Sequence, residues 1–293
     1  MRVHEGLEAS SADPVDTASG WSEDLADLAL RGWRAGRQWC TGCGGYHQLW
    51  GVLRAAGVVR GVEQDAAVLG PLLRRTVAQG SRVLLAGAAD TGVFALLMRS
   101  VAPLRPRCAV VDRCRAPLEI IGDYAAARGM ACERVQEDLL RWTPAEPYDL
   151  VLAHYTLSFV AGDALAAAVA AIARCTAPGG HALIALKAGR PASGAQAAAF
   201  RDAWLSEARA SIEASGLADR VERAELDALL AAHAQARTRR KTMLRPVSDV
   251  RACFERAGMQ VVDEVAAGRR RLLRVGGNED VEGSTALLLR AAP

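Results

Sequence analysis

Ser81-Arg-Val-Leu-Leu-Ala-Gly-Ala-Ala-Asp-Thr-Gly92 decides the fold. Val83 to Ala86 reads as a buried strand, the small residues from Gly87 to Gly92 as a turn, and the apolar run from Val93 to Val101 as a helix. A strand that enters a helix through small residues brings backbone N–H groups, and the positive end of the helix dipole, close to whatever lies above the turn. That arrangement predicts a nucleotide-like ligand held at the edge of an open parallel sheet.

Outward from this stretch the pattern alternates. Cys108 to Asp112 reads as a second strand, and Pro117 suits the first turn of a helix that ends at Gly129. Glu133 to Gln136 is a short strand and Asp149 to Ala153 a fully apolar one. Asp163 caps an Ala-rich helix, which Pro178-Gly179-Gly180 ends before the strand His181 to Leu186. Strands alternating with helices predict an α/β protein whose mostly parallel sheet has helices on both faces.

Two helical segments flank this core. Residues 1–20 lack any period and read as a loose lead-in. Trp21, Leu25 and Leu28 share a helix face behind Ser19 or Ser22 as cap. Tyr46, Leu49, Trp50 and Leu53 form a second stripe up to Gly57, and 62–78 is helical with Gly70-Pro71 expected to kink or split it. Between 190 and 246, Phe200, Trp204, Ala208 and Ile212 make one apolar face and Leu226, Leu229, Leu230 and His233 another, so the insertion is two amphipathic helices. Its basic end, Arg237 to Lys241, reads as a solvated helix terminus, and lone His233 as a satisfied core or interface residue. A helix capped near Ser248 leads to the strand Gln260 to Val265, a Gly276-Gly277-Asn278 turn, and the last strand Thr285 to Arg290. The expected division is therefore an N-terminal helical cap (1–79), a nucleotide-binding core (80–190), a helical insertion (191–246) and the closing helix and strands (247–293).

Composition narrows the class. At 293 residues and 51% hydrophobic, the chain can bury a sizeable core. Its 36 basic and 33 acidic residues leave a net charge of +3, which predicts neither nucleic-acid nor membrane attraction. Seven scattered cysteines, an odd number, suit a reducing compartment, and no apolar run approaches the ~18 residues of a membrane span. A soluble cytoplasmic protein is the expectation.

Four features in order carry a resemblance: the glycine turn at Gly87 after the first strand, Asp112 ending the second, Asp138 after the third, and Pro178-Gly179-Gly180 before the fifth. Together they make the chain resemble a class I S-adenosylmethionine-dependent methyltransferase over about residues 80–190 and more loosely over 247–293. The resemblance implies a Rossmann-like, seven-stranded sheet with an antiparallel last strand and S-adenosylmethionine over its carboxyl edge. Gly87 and Ala88 would face the methionine and ribose, Asp112 with neighbouring Arg113 the ribose hydroxyls, and Asp138 and Leu139 the adenine. The family's first motif is altered here: Leu85 stands at the usual acid, Ala89 at the second glycine, and Thr91 or Gly92 near the third. Asp90 is the candidate substitute partner for the methionine ammonium, or else a cap for the helix that follows. A dinucleotide oxidoreductase is the competing reading, but Gly87-Ala-Ala-Asp-Thr-Gly92 supplies only the ends of a Gly-x-Gly-x-x-Gly run.

Methyl transfer from a sulfonium needs an aligned nucleophile and a dry site, with a base only where the acceptor keeps its proton. His154, at the end of the fourth strand, is the candidate general base or orienting donor and also a candidate cofactor contact, and Tyr155 beside it a cofactor contact or a packing residue. In Trp39-Cys-Thr-Gly-Cys-Gly-Gly-Tyr-His-Gln-Leu-Trp50, the residues Tyr46, His47 and Trp50 are candidate lid residues on substrate or cofactor, with His47 a second candidate catalytic group. Cys40 and Cys43 form a Cys-x-x-Cys pair and with His47 offer three zinc-type ligands. No second pair follows at ligand spacing, so no metal is assigned.

No Asn/Asp-Pro-Pro-Tyr/Phe run follows the fourth strand, which disfavours methylation of nucleic-acid bases and leaves a small-molecule acceptor. Two other functions stay open. The same cofactor can give up its aminobutyryl arm by transfer or ring closure, releasing methylthioadenosine; or the fold can serve as a non-catalytic partner or regulator. The Leu/Ala-rich insertion suits a homodimer contact as well as a lid.

Overall fold

The computed structural model describes residues 22–271 and 281–293. The Ser19 and Trp21 positions and the Gly276-Gly277-Asn278 turn lie outside the described residues. Seven strands form one sheet: β1 (Arg82–Ala86), β2 (Arg107–Asp112), β3 (Cys132–Gln136), β4 (Tyr148–His154), β5 (Thr176–Ala188), β6 (Met259–Arg271) and β7 (Val281–Ala291). Their order is β3-β2-β1-β4-β5-β7-β6, and β7 runs antiparallel to both of its neighbours. The expected seven-stranded, mostly parallel α/β sheet is therefore present.

Alternation along each strand sends residues to two separate layers. Val83 and Leu85 face Leu73, Phe94, Leu97 and Tyr124 on one side; Leu84 and Ala86 face Val169, Ile172 and Phe254 on the other. All four strand residues are fully buried, as expected for a parallel sheet covered on both faces. The first layer comes from α3 (Ala66–Thr76), α4 (Gly92–Val101) and α5 (Arg115–Ala126), the second from α6 (Leu165–Cys175) and α9 (Val247–Arg256).

Several local expectations are corrected. The cap of α1 (Leu25–Trp39) is Asp24, whose Oδ1 accepts from Asp27 N–H at 2.9 Å. Pro71 lies inside a continuous α3, and the stretch divides earlier, where a 3-10 turn at Val62–Asp65 precedes it. Asp163 sits in a short 3-10 turn ahead of α6 and makes no cap bond, and α9 begins after Pro246 with no side-chain cap.

The two appendages, which look independent in sequence, share a third core. Ala29 and Trp33 of α1, and Leu49 and Leu53 of α2 (Tyr46–Ala55), pack with Trp204, Ala208 and Ile212 of α7 (Gly194–Ala214) and Leu226 and Leu230 of α8 (Arg223–Thr242). The apolar face of the insertion that suited a dimer contact is thus filled by α1 and α2 of the same chain. A Cβ on Gly36 would stand 2.2 Å from Cβ of Gln48, so α1 and α2 cross at a distance that only glycine permits. This fixes how the Cys40–Gly45 loop between the two helices lies against the sheet.

Candidate functional site

The carboxyl ends of β1, β2 and β3 lie side by side, and each delivers one predicted residue. At about 4.8 Å per strand, the span from Gly87 to the β3 end is about 10 Å, enough to seat a nucleoside. Gly87 adopts φ +80, and a Cβ there would meet Thr156 Cγ2 and Oγ1 at 3.0 Å; backbone conformation and Thr156 both require glycine. Asp112 is half-buried. Its Oδ2 accepts from Ala88 N–H at 3.0 Å and its Oδ1 from Cys114 N–H at 2.7 Å. Each oxygen keeps a further lone pair for a hydroxyl donor. Burial raises the Asp112 pKa, against the opposing pull of His47 and the two N–H groups. Asp138 follows β3, accepts from Leu140 N–H at 3.0 Å and stands 3.8 Å from Arg113 Nε, with half-buried Leu139 beside it.

Asp90 is placed differently from the expectation. It is 7% exposed, and Oδ2 accepts from Arg54 Nη1 at 2.5 Å and Trp50 Nε1 at 3.1 Å, while Oδ1 accepts from Gly92 N–H at 2.7 Å. Its negative charge is therefore matched inside the fold by Arg54, and its bond to Gly92 N–H lies at the start of α4. Arg54 also pairs with exposed Glu63. Burial acts to lower the Arg54 pKa, but Asp90 and Glu63 outweigh it and hold the guanidinium charged. Arg54 carried no signal in the sequence, because one arginine on an amphipathic helix resembles any other.

Past β4 a second set converges. His154 Nε2 lies 2.9 Å from Oδ2 of Asp65, a 2% exposed carboxylate that the sequence reading missed. Tyr155 also reaches Asp65 Oδ2, at 2.8 Å, and Ser284 Oγ at 2.9 Å. Because a carboxylate only accepts, the single phenolic proton goes to Asp65 and Ser284 donates to the phenol. Tyr155 has φ +59, a conformation costly for a bulky side chain, and these bonds hold it there. The ring of His154 lies 4.2 Å from that of Tyr155.

A cleft opens beyond Tyr155. Tyr46, Trp50, Phe159 and Phe200 line it together with Arg60, Lys187, Arg237, Arg240, Lys241 and Arg245. The basic end of α8, expected as a solvated terminus, is thus part of a cavity wall: Arg240 lies 4.4 Å over the Phe159 ring and Lys241 4.2 Å over Phe200. Tyr46 and Trp50, the candidate lid residues, both line this cleft. His233 stacks on Tyr46 at 5.7 Å, and its Nε2 is buried with no hydrogen-bond partner among the described residues, so it is not the satisfied histidine expected. Burial pushes its pKa well down, as do Arg237 and Arg240.

His47 stands elsewhere. It is 6% exposed, with Nε2 3.1 Å from the Ala88 carbonyl and Nδ1 3.9 Å from Cys40 Sγ, and it is not among the residues that line the cleft. Cys114, at the start of α5, completes the group around it, 3.6 Å from Cys40 Sγ and 3.9 Å from Cys43 Sγ. Burial opposes protonation of His47, but the Cys40 and Cys43 thiols outweigh it and push its pKa up to about 10. Hydrogen bonds from Cys114 and Cys40 push the Cys43 thiol down.

Arg54→Met leaves Asp90 buried without its counter-charge and is expected to cost about 3–5 kcal/mol of stability, measured by denaturant unfolding. Glu63→Gln, at the exposed arm of the same guanidinium, is expected to stay within about 1 kcal/mol of the parent.

Residues 63–264 match a family described as a methyltransferase domain. No curated protein matches the chain in sequence. In fold it is similar to the 4+2 cyclase SpnF, at 12% identity over 89% of this chain and 96% of that one, with a TM-score of 0.54. It is also similar to the N-methyltransferase NodS from Bradyrhizobium japonicum in complex with S-adenosylhomocysteine, at 14% identity over 92% and 100%, with a TM-score of 0.50. The matched span covers more than half of the chain and carries β1 to β5 with the strand-end residues above. The chain belongs to the class I S-adenosylmethionine-dependent methyltransferases.

Proposed function

We propose that the chain transfers a methyl group to a small acceptor that carries negative charge. The observation that carries this reading is the cleft beside Tyr155, which is walled by six cationic side chains set among aromatic rings. A phosphate- or carboxylate-bearing molecule with an apolar body suits both the cations and the aromatic rings between them. Among the described residues no helix is long and apolar enough to cross a membrane, which agrees with an acceptor met in water.

Asp112 receives the ribose hydroxyls on its remaining lone pairs, Asp138 and Leu139 receive the adenine, and Gly87 and Ala88 give the backbone its close approach. Bound S-adenosylmethionine supplies a methyl carbon already activated by its sulfonium. What is left to the protein is alignment and exclusion of water. His154 is the base for an acceptor that keeps its proton: Asp65 accepts from Nε2–H, which leaves Nδ1 as the basic nitrogen, and a buried carboxylate that orients an imidazole is a recurring device for this task. Tyr155, held by Asp65 and Ser284, forms the wall between cofactor edge and acceptor cleft.

Asp112→Ala is expected to weaken S-adenosylhomocysteine binding by about 1–3 kcal/mol in calorimetry, roughly five- to 150-fold in Kd. His154→Gln should lower kcat by roughly 10²–10⁴ at unchanged cofactor affinity; an unaltered kcat removes the base assignment. Arg240→Glu should raise KM for an anionic acceptor while cofactor affinity holds, and the product of turnover should be S-adenosylhomocysteine. Methylthioadenosine instead would mean that the aminobutyryl arm is the group transferred.

A further inference from the structure

We propose that Cys40, Cys43, His47 and Cys114 form a mononuclear structural zinc site that clamps the helical cap to the cofactor-binding edge of the sheet. Three thiols and one imidazole are a tetrahedral zinc donor set. Their four ligand atoms all lie within 4.8 Å of one another. The individual separations are 3.6 Å for Cys40 Sγ to Cys114 Sγ, 3.9 Å for Cys43 Sγ to Cys114 Sγ, and 3.9 Å for Cys40 Sγ to His47 Nδ1. Zinc bonds of about 2.3 Å to sulfur and 2.0–2.1 Å to nitrogen place the edges of a tetrahedron at about 3.5–3.8 Å, so the ligands stand almost at coordination distance. A four-iron cluster would hold its cysteines farther apart, because each binds a different iron.

The histidine is prepared for this role by its other nitrogen. Nε2 lies 3.1 Å from the Ala88 carbonyl, which can only accept, so Nε2 carries a proton and Nδ1 is the nitrogen turned to the thiols, able to bind a metal on release of its own proton. A backbone carbonyl on the remote N–H is the usual way a metal-bound imidazole is oriented. The local chain suits a metal knuckle as well: α1 ends at Trp39, Gly44 and Gly45 turn at φ +61 and +72, and α2 brings His47 back in its first turn. Cys114 lies 71 positions after Cys43, and the fold places it there through β2 and the start of α5. All four positions come from protein, so the site is closed and structural, not catalytic.

The placement gives the clamp its consequence. Cys114 N–H bonds Asp112, and His47 bonds the carbonyl of Ala88, whose own N–H bonds Asp112. A metal at this point ties the cap to the two backbone segments that shape the ribose position.

Metal analysis of the purified full-length chain tests this, with about one zinc per chain expected. Cys114→Ser should lose the zinc and Cys132→Ser, on β3 away from the cluster, should keep it. Because Cys114→Ser can fail to fold, chelated wild-type protein is also titrated with cobalt(II). It should develop the visible absorption of tetrahedral cobalt–thiolate, saturating at about one equivalent and abolished by zinc, and chelation should lower the melting temperature. A metal-free wild type that gives no cobalt spectrum, a Cys40–Cys114 disulfide in freshly purified protein, or iron in place of zinc would overturn the proposal.

Discussion

The Asp112 carboxylate is the interaction on which the geometry of the binding edge depends. It accepts one N–H from the loop after β1 and one from the start of α5, so a single side chain closes two helix-entry turns across neighbouring strands. Without Asp112 these two N–H groups would need water or a ligand as partner. Its burial is tolerated because each oxygen is satisfied, which is the condition for a buried carboxylate to be kept. From this point the bonds run outward, through Ala88 to His47 and through Cys114 to the cysteines of the cap.

A second polar anchor explains the altered glycine loop. In this chain the loop acid is Asp90, and it faces inward to Arg54 on α2 rather than outward to a ligand. With side chains only 7% and 9% exposed, the pair is compensated by indole and backbone donors, which suits it to fixing the orientation of α2 more than to adding stability. The cap is thereby held against the loop by charge on one side and by the thiol–imidazole group on the other.

The shared core of α1, α2, α7 and α8 does comparable work for the cleft. Burying Trp33, Leu49, Trp204 and Leu230 together places the basic end of α8 over the mouth of β4 and β5. Aromatic rings lie under Arg240 and Lys241 and favour positive charge at that place.

The alternation from Val83 to Leu186, the two-faced burial of the strands, the Gly87 turn and the strand-end acids Asp112 and Asp138 were legible in the sequence. They depend on local periodicity and on residue types that backbone geometry demands at fixed places. Asp65, Arg54, Cys114 and the cations of α8 were not legible, because decisive partners lie far along the chain, Asp90 36 positions from Arg54 and Tyr155 90 from Asp65, and nothing local distinguishes them from solvated charges or a lone buried thiol. Asp90 shows the limit most plainly: in sequence an acid in a glycine loop reads as a ligand contact or a cap, and nothing there announces the arginine on another helix that pairs with it. Side-chain chemistry sets what a residue can bind; which neighbour reaches it first is decided by how the helices pack.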